Sequence, residues 1–144
     1  MTRLPSDHEA VTTHRTHVES VGRTSRPQVP VPETVEVAIG DVVRLTLADE
    51  TRHARVRETL GGGRDLRGAY ANARLARAGD AGEGDDHLRE WVESAGLSTG
   101  DAVLFDTVTP GFQYGLRRPG ERVVYTALDP PASSLSDIAR DVDG

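Results

Sequence analysis

The sequence contains no cysteine among its 144 residues. Neither a disulfide framework nor a zinc site built from thiolates is therefore possible, and redox chemistry through sulfur is excluded. It also contains no run of about 18 apolar residues, which a membrane-spanning helix would need, and its N-terminal stretch MTRLPSDHEAVTTHRTHVESVG lacks the apolar segment of a secretory signal. We expect a cytoplasmic protein without a membrane partner, stabilised by packing alone.

Lysine is absent as well, so all 17 basic residues are arginine, and they stand against 23 acidic residues. The formal net charge is -6. Two explanations remain open for this composition. High-GC coding replaces lysine with arginine, and an acidic surface also keeps a chain soluble at high intracellular salt.

The arginines are distributed unevenly along the chain. Residues 41–77 carry eight arginines and five acidic residues, whereas residues 78–101 carry one arginine and seven acidic residues. Such asymmetry in an acidic protein indicates a positive face that binds a polyanion. The alternative is that arginines at exposed strand positions are solubilising and pair with nearby carboxylates. Charge alone leaves both interpretations open.

Alternating apolar residues predict a protein made mainly of strands. DVVRLTLAD and RHARVRETL alternate well on either side of Glu50-Thr51, which predicts a hairpin over 42–60. Pro27, Pro30 and Pro32 predict a loop or an extended edge because proline lacks a backbone donor. Further strands are predicted over 10–21, 102–108, 112–118 and 122–128.

One helix is clearly predicted, over 86–96. Asp86 can cap its first turn, the following apolar residues share one stripe that includes Trp91, and Gly96 can end it. Residues 64–77 allow either a strand or a helix, because alanine and arginine favour helix while Gly68 and Asn72 oppose it. Residues 78–86 are predicted to form a flexible acidic loop, and 129–144 a polar, mobile tail.

A Gly-Asp corner occurs twice, 60 residues apart. Gly40-Asp41 precedes the strand VVRLTL, and Gly100-Asp101 precedes AVLFDT. Glycine can adopt the positive φ of such a turn, and the carboxylate can accept backbone hydrogen bonds across it. The same shift places 52–57 on 112–117, which predicts one barrel domain over 1–128 with half-repeats of roughly 10–60 and 64–128. A chance recurrence of a common turn dipeptide is the alternative.

The duplicated corner resembles the GD box of cradle-loop barrels, a group that includes AbrB-type regulators, double-psi barrels and DNA-binding pseudobarrels. The segment LREWVESAGLSTGDAVLFDTV (88–108) is similar to the helix-to-strand segment of the plant pseudobarrel domains and of related recognition domains in restriction enzymes. The resemblance implies that Gly40, Asp41, Gly100 and Asp101 are structural corners and that Trp91 is a core residue. The whole chain also resembles small uncharacterised haloarchaeal proteins.

We therefore expect an α+β, mainly β fold: a pseudo-twofold barrel of six or seven strands with one clear helix. We expect it to bind nucleic acid, most readily duplex DNA, with guanidinium groups on phosphates and Arg, Asn or Gln side chains on base edges. Ala54 and Val56 should face inward, which turns their neighbours outward. The candidate binding residues are His53, Arg55, Arg57, Arg64, Arg67, Arg74, Gln113, Tyr114 and Arg117.

No catalytic, metal or cofactor site is expected. His14 and His17 would point to opposite faces of a strand, which makes them a poor metal clamp. The stretch GGGRD lacks the Gly-Lys-Ser/Thr of a phosphate loop, and PASSLSD contains no nucleophile elbow. The alternative to nucleic-acid binding is a protein-interaction or oligomerisation module that uses an exposed barrel edge or the proline-rich segment 27–32.

Overall fold

The structure is a computed structural model that describes residues 2–20, 27–59, 61–78 and 85–128. The predicted tail at 129–144 and most of the predicted acidic loop at 78–86 lie outside these residues. About 45% of the structure is strand and 12% is helix. This confirms the α+β, mainly β fold class.

The described residues form ten strands and two helices. The strands are β1 Thr2–Pro5, β2 Thr12–His17, β3 Glu19–Ser20, β4 Pro27–Pro30, β5 Val42–Leu47, β6 Glu50–Glu58, β7 Arg64–Leu66, β8 Ala102–Thr109, β9 Gln113–Arg117 and β10 Val124–Ala127. The helices are α1 Ala73–Ala78 and α2 His87–Ser94.

Eight of the strands form one nearly closed barrel, in the order β2-β8-β9-β5-β6-β7-β4-β3. The two ends of this sheet meet because β2 and β3 are consecutive in the chain, and the Thr16 hydroxyl of β2 donates to the Pro30 carbonyl of β4 at 2.8 Å. β5 and β9 pair in parallel, whereas the other neighbours are antiparallel. The barrel has eight strands rather than the expected six or seven.

A separate two-stranded ribbon, β1 and β10, covers part of the barrel's outer surface. Tyr125 of the ribbon is fully buried and packs with Val11 and Val108. At Gly115 of β9 an added Cβ would lie 2.5 Å from Cζ of Tyr125, so the ring requires a residue without a side chain there. The outward face of β9 is therefore interior to the protein.

The barrel core follows from the alternation of apolar residues. Val43 and Leu45 of β5 point inward and are at most 1% exposed, as are Val103 and Phe105 of β8. α2 closes one end of the barrel with its buried stripe Leu88, Trp91 and Val92. Burial of this apolar surface is the main source of stability, because a chain without cysteine has no disulfide to add to it.

Local signals located the helix and the hairpin correctly. Asp86 caps α2, since its side chain accepts from the amides of Leu88 and Arg89. The hairpin turn lies at Ala48-Asp49 rather than at Glu50-Thr51. The ambiguous segment 64–77 contains both predicted structures: β7 opens it, and α1 occupies its last residues.

The first Gly-Asp corner precedes β5 and is hydrogen-bonded to β6. Gly40 has φ of 94°, and the Asp41 carboxylate accepts from the Ala38 amide at 3.0 Å. The Gly40 amide donates to the Val56 carbonyl at 2.8 Å, and the Asp41 carbonyl accepts from the Val56 amide at 2.8 Å. These two backbone bonds extend the β5–β6 ladder through the corner.

The second corner repeats every one of these bonds. Gly100 has φ of 95°, and the Asp101 carboxylate accepts from the Ser98 amide at 2.8 Å. Gly100 and Asp101 exchange the same pair of backbone bonds with Val18, at 2.7 and 2.9 Å. The two corners are therefore structurally equivalent, with Val18 in the position that Val56 holds in the first.

The predicted structural equivalence of residues 52–57 with residues 112–117 is wrong. Val43 pairs with Ala54 on β6, whereas its counterpart Val103 pairs with Thr16 on β2. β2 is therefore the counterpart of β6, which makes the halves 12–47 and 50–109. The shift of 60 holds only from the corner to the following strand, because the second half alone carries α1 and α2.

Alanine at either corner glycine should cost the same free energy of unfolding. An added Cβ meets no atom within 4 Å at Gly40 or Gly100, so the cost comes only from the positive φ. We expect Gly40→Ala and Gly100→Ala each to lose about 1–2 kcal/mol in urea unfolding. Gly61→Ala, equally open and without a positive φ, should stay within about 0.5 kcal/mol. A cost at one corner only would contradict their equivalence.

Candidate nucleic-acid interface

Strand β6 carries a row of basic side chains on its outer face. Ala54 and Val56 are at most 1% exposed and point into the barrel. His53, Arg55 and Arg57 occupy the alternate positions and are half-buried. Since successive side chains of a strand point to opposite faces, these three lie on the outside, as expected from the sequence.

Two neighbouring elements add arginines to this row. Arg44 of β5 is the cross-strand partner of His53, and its guanidinium lies 5.1 Å from the centre of the Phe112 ring. α1 packs over β6, where Arg55 donates to the Arg77 carbonyl at 3.2 Å. Arg74, nearly one turn before Arg77, is exposed like it. We call this set the arginine face: Arg44, Arg55, Arg57, Arg74 and Arg77.

No arginine of the arginine face forms a salt bridge with an acidic residue that the structure describes: none of their nitrogens lies within 4.0 Å of such a carboxylate oxygen. Arginines elsewhere do form such pairs, as Arg89 does with Glu93 and Arg118 with Glu121. Arg57 has Asp65 as its cross-strand neighbour, and that carboxylate is held by Arg67. Arg55 donates to a backbone carbonyl and the charge of Arg57 acts on the Asp65 carboxylate, so both are partly used within the protein. Arg74 and Arg77 are exposed and are the members of this face most available to an external anion.

His53 adds no charge to the arginine face at neutral pH. Burial lowers the pKa of His53, and the nearby Arg44 guanidinium lowers it further. The carbonyls of Tyr70 and Ala71 act in the opposite direction but are weaker. His53 therefore sits within the face as a neutral side chain, and the positive charge comes from arginine alone.

Arg64 and Arg67 lie near the arginine face but are used within the protein. The Arg64 guanidinium donates to four backbone carbonyls in the segment 32–37 and fixes that turn. Arg67 pairs with Asp65, a fully buried carboxylate. Burial raises the pKa of Asp65 above its ordinary value, and the Arg67 guanidinium only partly offsets this. Neither guanidinium is free for a ligand, so their assignment as binding residues is corrected.

Arg117 is also an internal residue rather than a contact for nucleic acid. Its side chain is 11% exposed, and its Nε donates to the buried Asp106 carboxylate at 2.7 Å. A second nitrogen donates to the Glu121 carbonyl at 2.7 Å. Burial tends to lower the pKa of Arg117, but hydrogen bonding to Asp106 and its charge raise it above the ordinary value. The expected alignment of Arg117 with Arg57 is therefore wrong.

Gln113 and Tyr114 are buried as well. Gln113 is held under the ribbon, where its side chain donates to the Thr126 carbonyl at 3.0 Å and accepts from the Leu128 amide at 2.8 Å. Tyr114 points into the barrel, 5.4 Å from the Phe105 ring. Gln113 is covered by the ribbon and Tyr114 is enclosed in the core, so neither side chain is placed to contact nucleic acid.

Two members of the arginine face are not among the residues predicted from the sequence. Arg44 stands between the inward Val43 and Leu45, so strand alternation was a sufficient signal for its outward position. Arg77 joins the face only because α1 packs over β6, and that requires a helix in a segment whose conformation was left open. The sequence thus predicted the outward row on β6 but not the arginines that its neighbours β5 and α1 place beside it.

The arginine face can bind phosphate groups, since a guanidinium presents paired donors that match phosphate oxygens. Among the residues that the structure describes, no three His, Asp or Glu side chains form a group able to hold a metal ion. No helix within the same residues is long and apolar enough to cross a membrane.

Comparison with known proteins identifies a family without assigning a function. No curated protein and no solved structure matches the chain. The model of a family of unknown function, DUF7112, matches residues 1–142. Because this match spans nearly the whole sequence, the chain belongs to the DUF7112 family.

Proposed function

We propose that the chain binds nucleic acid, most readily duplex DNA, through the arginine face and without catalysing a reaction. The observation that carries the proposal is the convergence of five arginines from β5, β6 and α1, none of which forms a salt bridge with a described residue. A duplex carries one negative charge per about 1.7 Å of helix axis, so it can engage several of these guanidinium groups together.

Phosphate contacts should dominate the binding. Gln113 is buried, so the guanidinium groups themselves are the side chains on this face that can read a base edge, with guanine as their usual partner. We therefore expect affinity to depend strongly on salt and weakly on sequence. Molar salt would remove most of the electrostatic affinity and leave shape fit and burial.

The barrel itself is part of the proposal. The matched hydrogen bonds at Gly40-Asp41 and Gly100-Asp101 support membership of the cradle-loop barrels, a group that includes DNA-binding pseudobarrels. A cytoplasmic location would bring the arginine face to its ligand. A haloarchaeal source would suit the acidic remainder of the surface.

A binding titration with two matched variants tests this function. Arg74→Ala with Arg77→Ala removes two exposed arginines from the face, and alanine preserves the helix. Arg89→Ala with Arg118→Ala removes two exposed arginines elsewhere, so both variants lose the same charge. At about 50 mM salt we expect the first variant to bind a labelled duplex on the order of 100-fold more weakly, and the control to stay within about threefold of wild type.

Two outcomes would contradict the proposal. Absence of binding by the wild type at low salt, where even non-specific attraction is strongest, would favour a protein-interaction module. An equal loss of affinity in both variants would mean that total charge, and not the arginine face, determines binding. Fluorescence anisotropy on a mixed pool of genomic fragments measures both.

A further inference from the structure

A polar cleft of about 680 Å³ lies between the β1–β10 ribbon, the β5–β6 turn and α2. This volume is in the range of pockets that hold small organic ligands. The cleft shares no residue with the arginine face, so whatever it binds is independent of the proposed nucleic-acid site. Its walls differ in chemistry, and each restricts the class of ligand that would fit.

The ribbon wall supplies two guanidinium groups. Leu4 and Tyr125 pack on the barrel, which turns Arg3 and its partner Thr126 to the other face of the ribbon and into the cleft. Arg3 is exposed and forms no salt bridge with a described residue. Arg122 pairs with Asp7 at 3.3 Å, but both side chains are more than half exposed, so the pair is weak and can exchange for a ligand.

The α2 wall supplies the edge of an indole ring. Trp91 lines the cleft, but it is only 8% exposed and its ring is held in the core, so no face of the ring is open for stacking. Its indole N–H donates no hydrogen bond to a residue that the structure describes. A ligand that reaches this wall can therefore accept a hydrogen bond from the N–H.

The hairpin turn supplies acceptors at the rim of the cleft. Ala48 and Asp49 have φ of 49° and 70°, a left-handed conformation that residues other than glycine adopt at a cost. The turn places the exposed Asp49 beside the cleft, next to the paired hydroxyls of Thr46 and Thr51. A carboxylate and hydroxyls of this kind bind ligand hydroxyl groups, and they disfavour a simple inorganic anion.

Together these walls match a molecule with three parts: an anionic group for the guanidinium groups, hydroxyls for Asp49, and a hydrogen-bond acceptor for the indole N–H of Trp91. A nucleoside phosphate carries all three, since its base has ring nitrogens and carbonyl oxygens that accept hydrogen bonds. We propose that the cleft binds a nucleoside phosphate, with the phosphate held by Arg3 and Arg122 and an acceptor atom of the base bonded to Trp91. Phosphate alone or nucleoside alone would use only part of the lining, because the arginines and Trp91 belong to different elements around the cleft.

The intrinsic fluorescence of the protein reports on this cleft directly, because Trp91 is the only tryptophan in the sequence. Adenosine and uridine monophosphate should each change the emission saturably and bind with a measurable heat. Adenosine alone and inorganic phosphate alone should each bind at least about tenfold more weakly, the scale of one lost charged contact. Saturable binding of phosphate alone with equal affinity would overturn the proposed ligand class.

Arg3→Ala with Arg122→Ala should weaken nucleotide binding at least about tenfold. The matched control is Arg15→Ala with Arg89→Ala, which removes two exposed arginines that belong neither to the cleft nor to the arginine face and should leave nucleotide binding unchanged. No saturable signal by fluorescence or calorimetry at millimolar nucleotide, or full affinity in the Arg3 and Arg122 variant, would overturn the proposal. Either result leaves DNA binding untouched, so the two functions can fail separately.

Discussion

Asp106→Ala should lower the free energy of unfolding by about 3–5 kcal/mol, because it leaves a buried guanidinium without its counter-ion. Asp106 is fully buried and accepts from Arg117 at 2.7 Å, from the Tyr125 hydroxyl at 2.5 Å and from the Thr13 hydroxyl at 2.6 Å. Removal of the carboxylate leaves all three donors without an acceptor.

The same carboxylate holds the ribbon on the barrel. Tyr125 belongs to β10, Arg117 to β9 and Thr13 to β2, so three separate strands meet at Asp106. Urea unfolding measures the loss, and Asp7→Ala is the control because Asp7 forms an exposed ion pair with Arg122. That control should change stability by less than about 1 kcal/mol. A loss of the same small size at Asp106 would mean that the buried network contributes little.

Trp91→Ala should cost about 3–5 kcal/mol, since a large aromatic side chain would leave a cavity where α2 meets the barrel. Trp91 is 8% exposed and packs in the main core cluster. Trp91→Phe keeps most of the apolar contact and should cost clearly less. Thermal or urea unfolding of both variants measures the difference. A loss of only about 0.5 kcal/mol for alanine would place Trp91 on the surface instead.

Local signals in the sequence were sufficient for the helix, the hairpin and the corners. Asp86 caps the helix through hydrogen bonds to the next residues, and the Gly-Asp corner depends on the positive φ that glycine allows. These features depend on residues close in the chain, so a pattern of residues can predict them.

Sequence could not predict which distant strands are paired. Strand β8 pairs with β2, which lies about 90 residues earlier in the chain, and no local sequence pattern predicts this pairing. Alternation also assumes that an outward position is exposed. On β8 and β9 that assumption fails at Asp106, Gln113 and Arg117, because the ribbon covers them. For the candidate site, the outward positions of β6 were therefore predicted correctly, but together with residues of β9 that are internal.

The most direct test of the proposed arginine face is the salt dependence of duplex binding. Each phosphate contact adds about 0.9 to the slope of log affinity against log salt. Arg74→Ala with Arg77→Ala should therefore flatten the slope by about 1.8, whereas Arg89→Ala with Arg118→Ala should leave it unchanged. A slope that is identical in wild type and both variants would contradict the assignment of this face as the nucleic-acid interface.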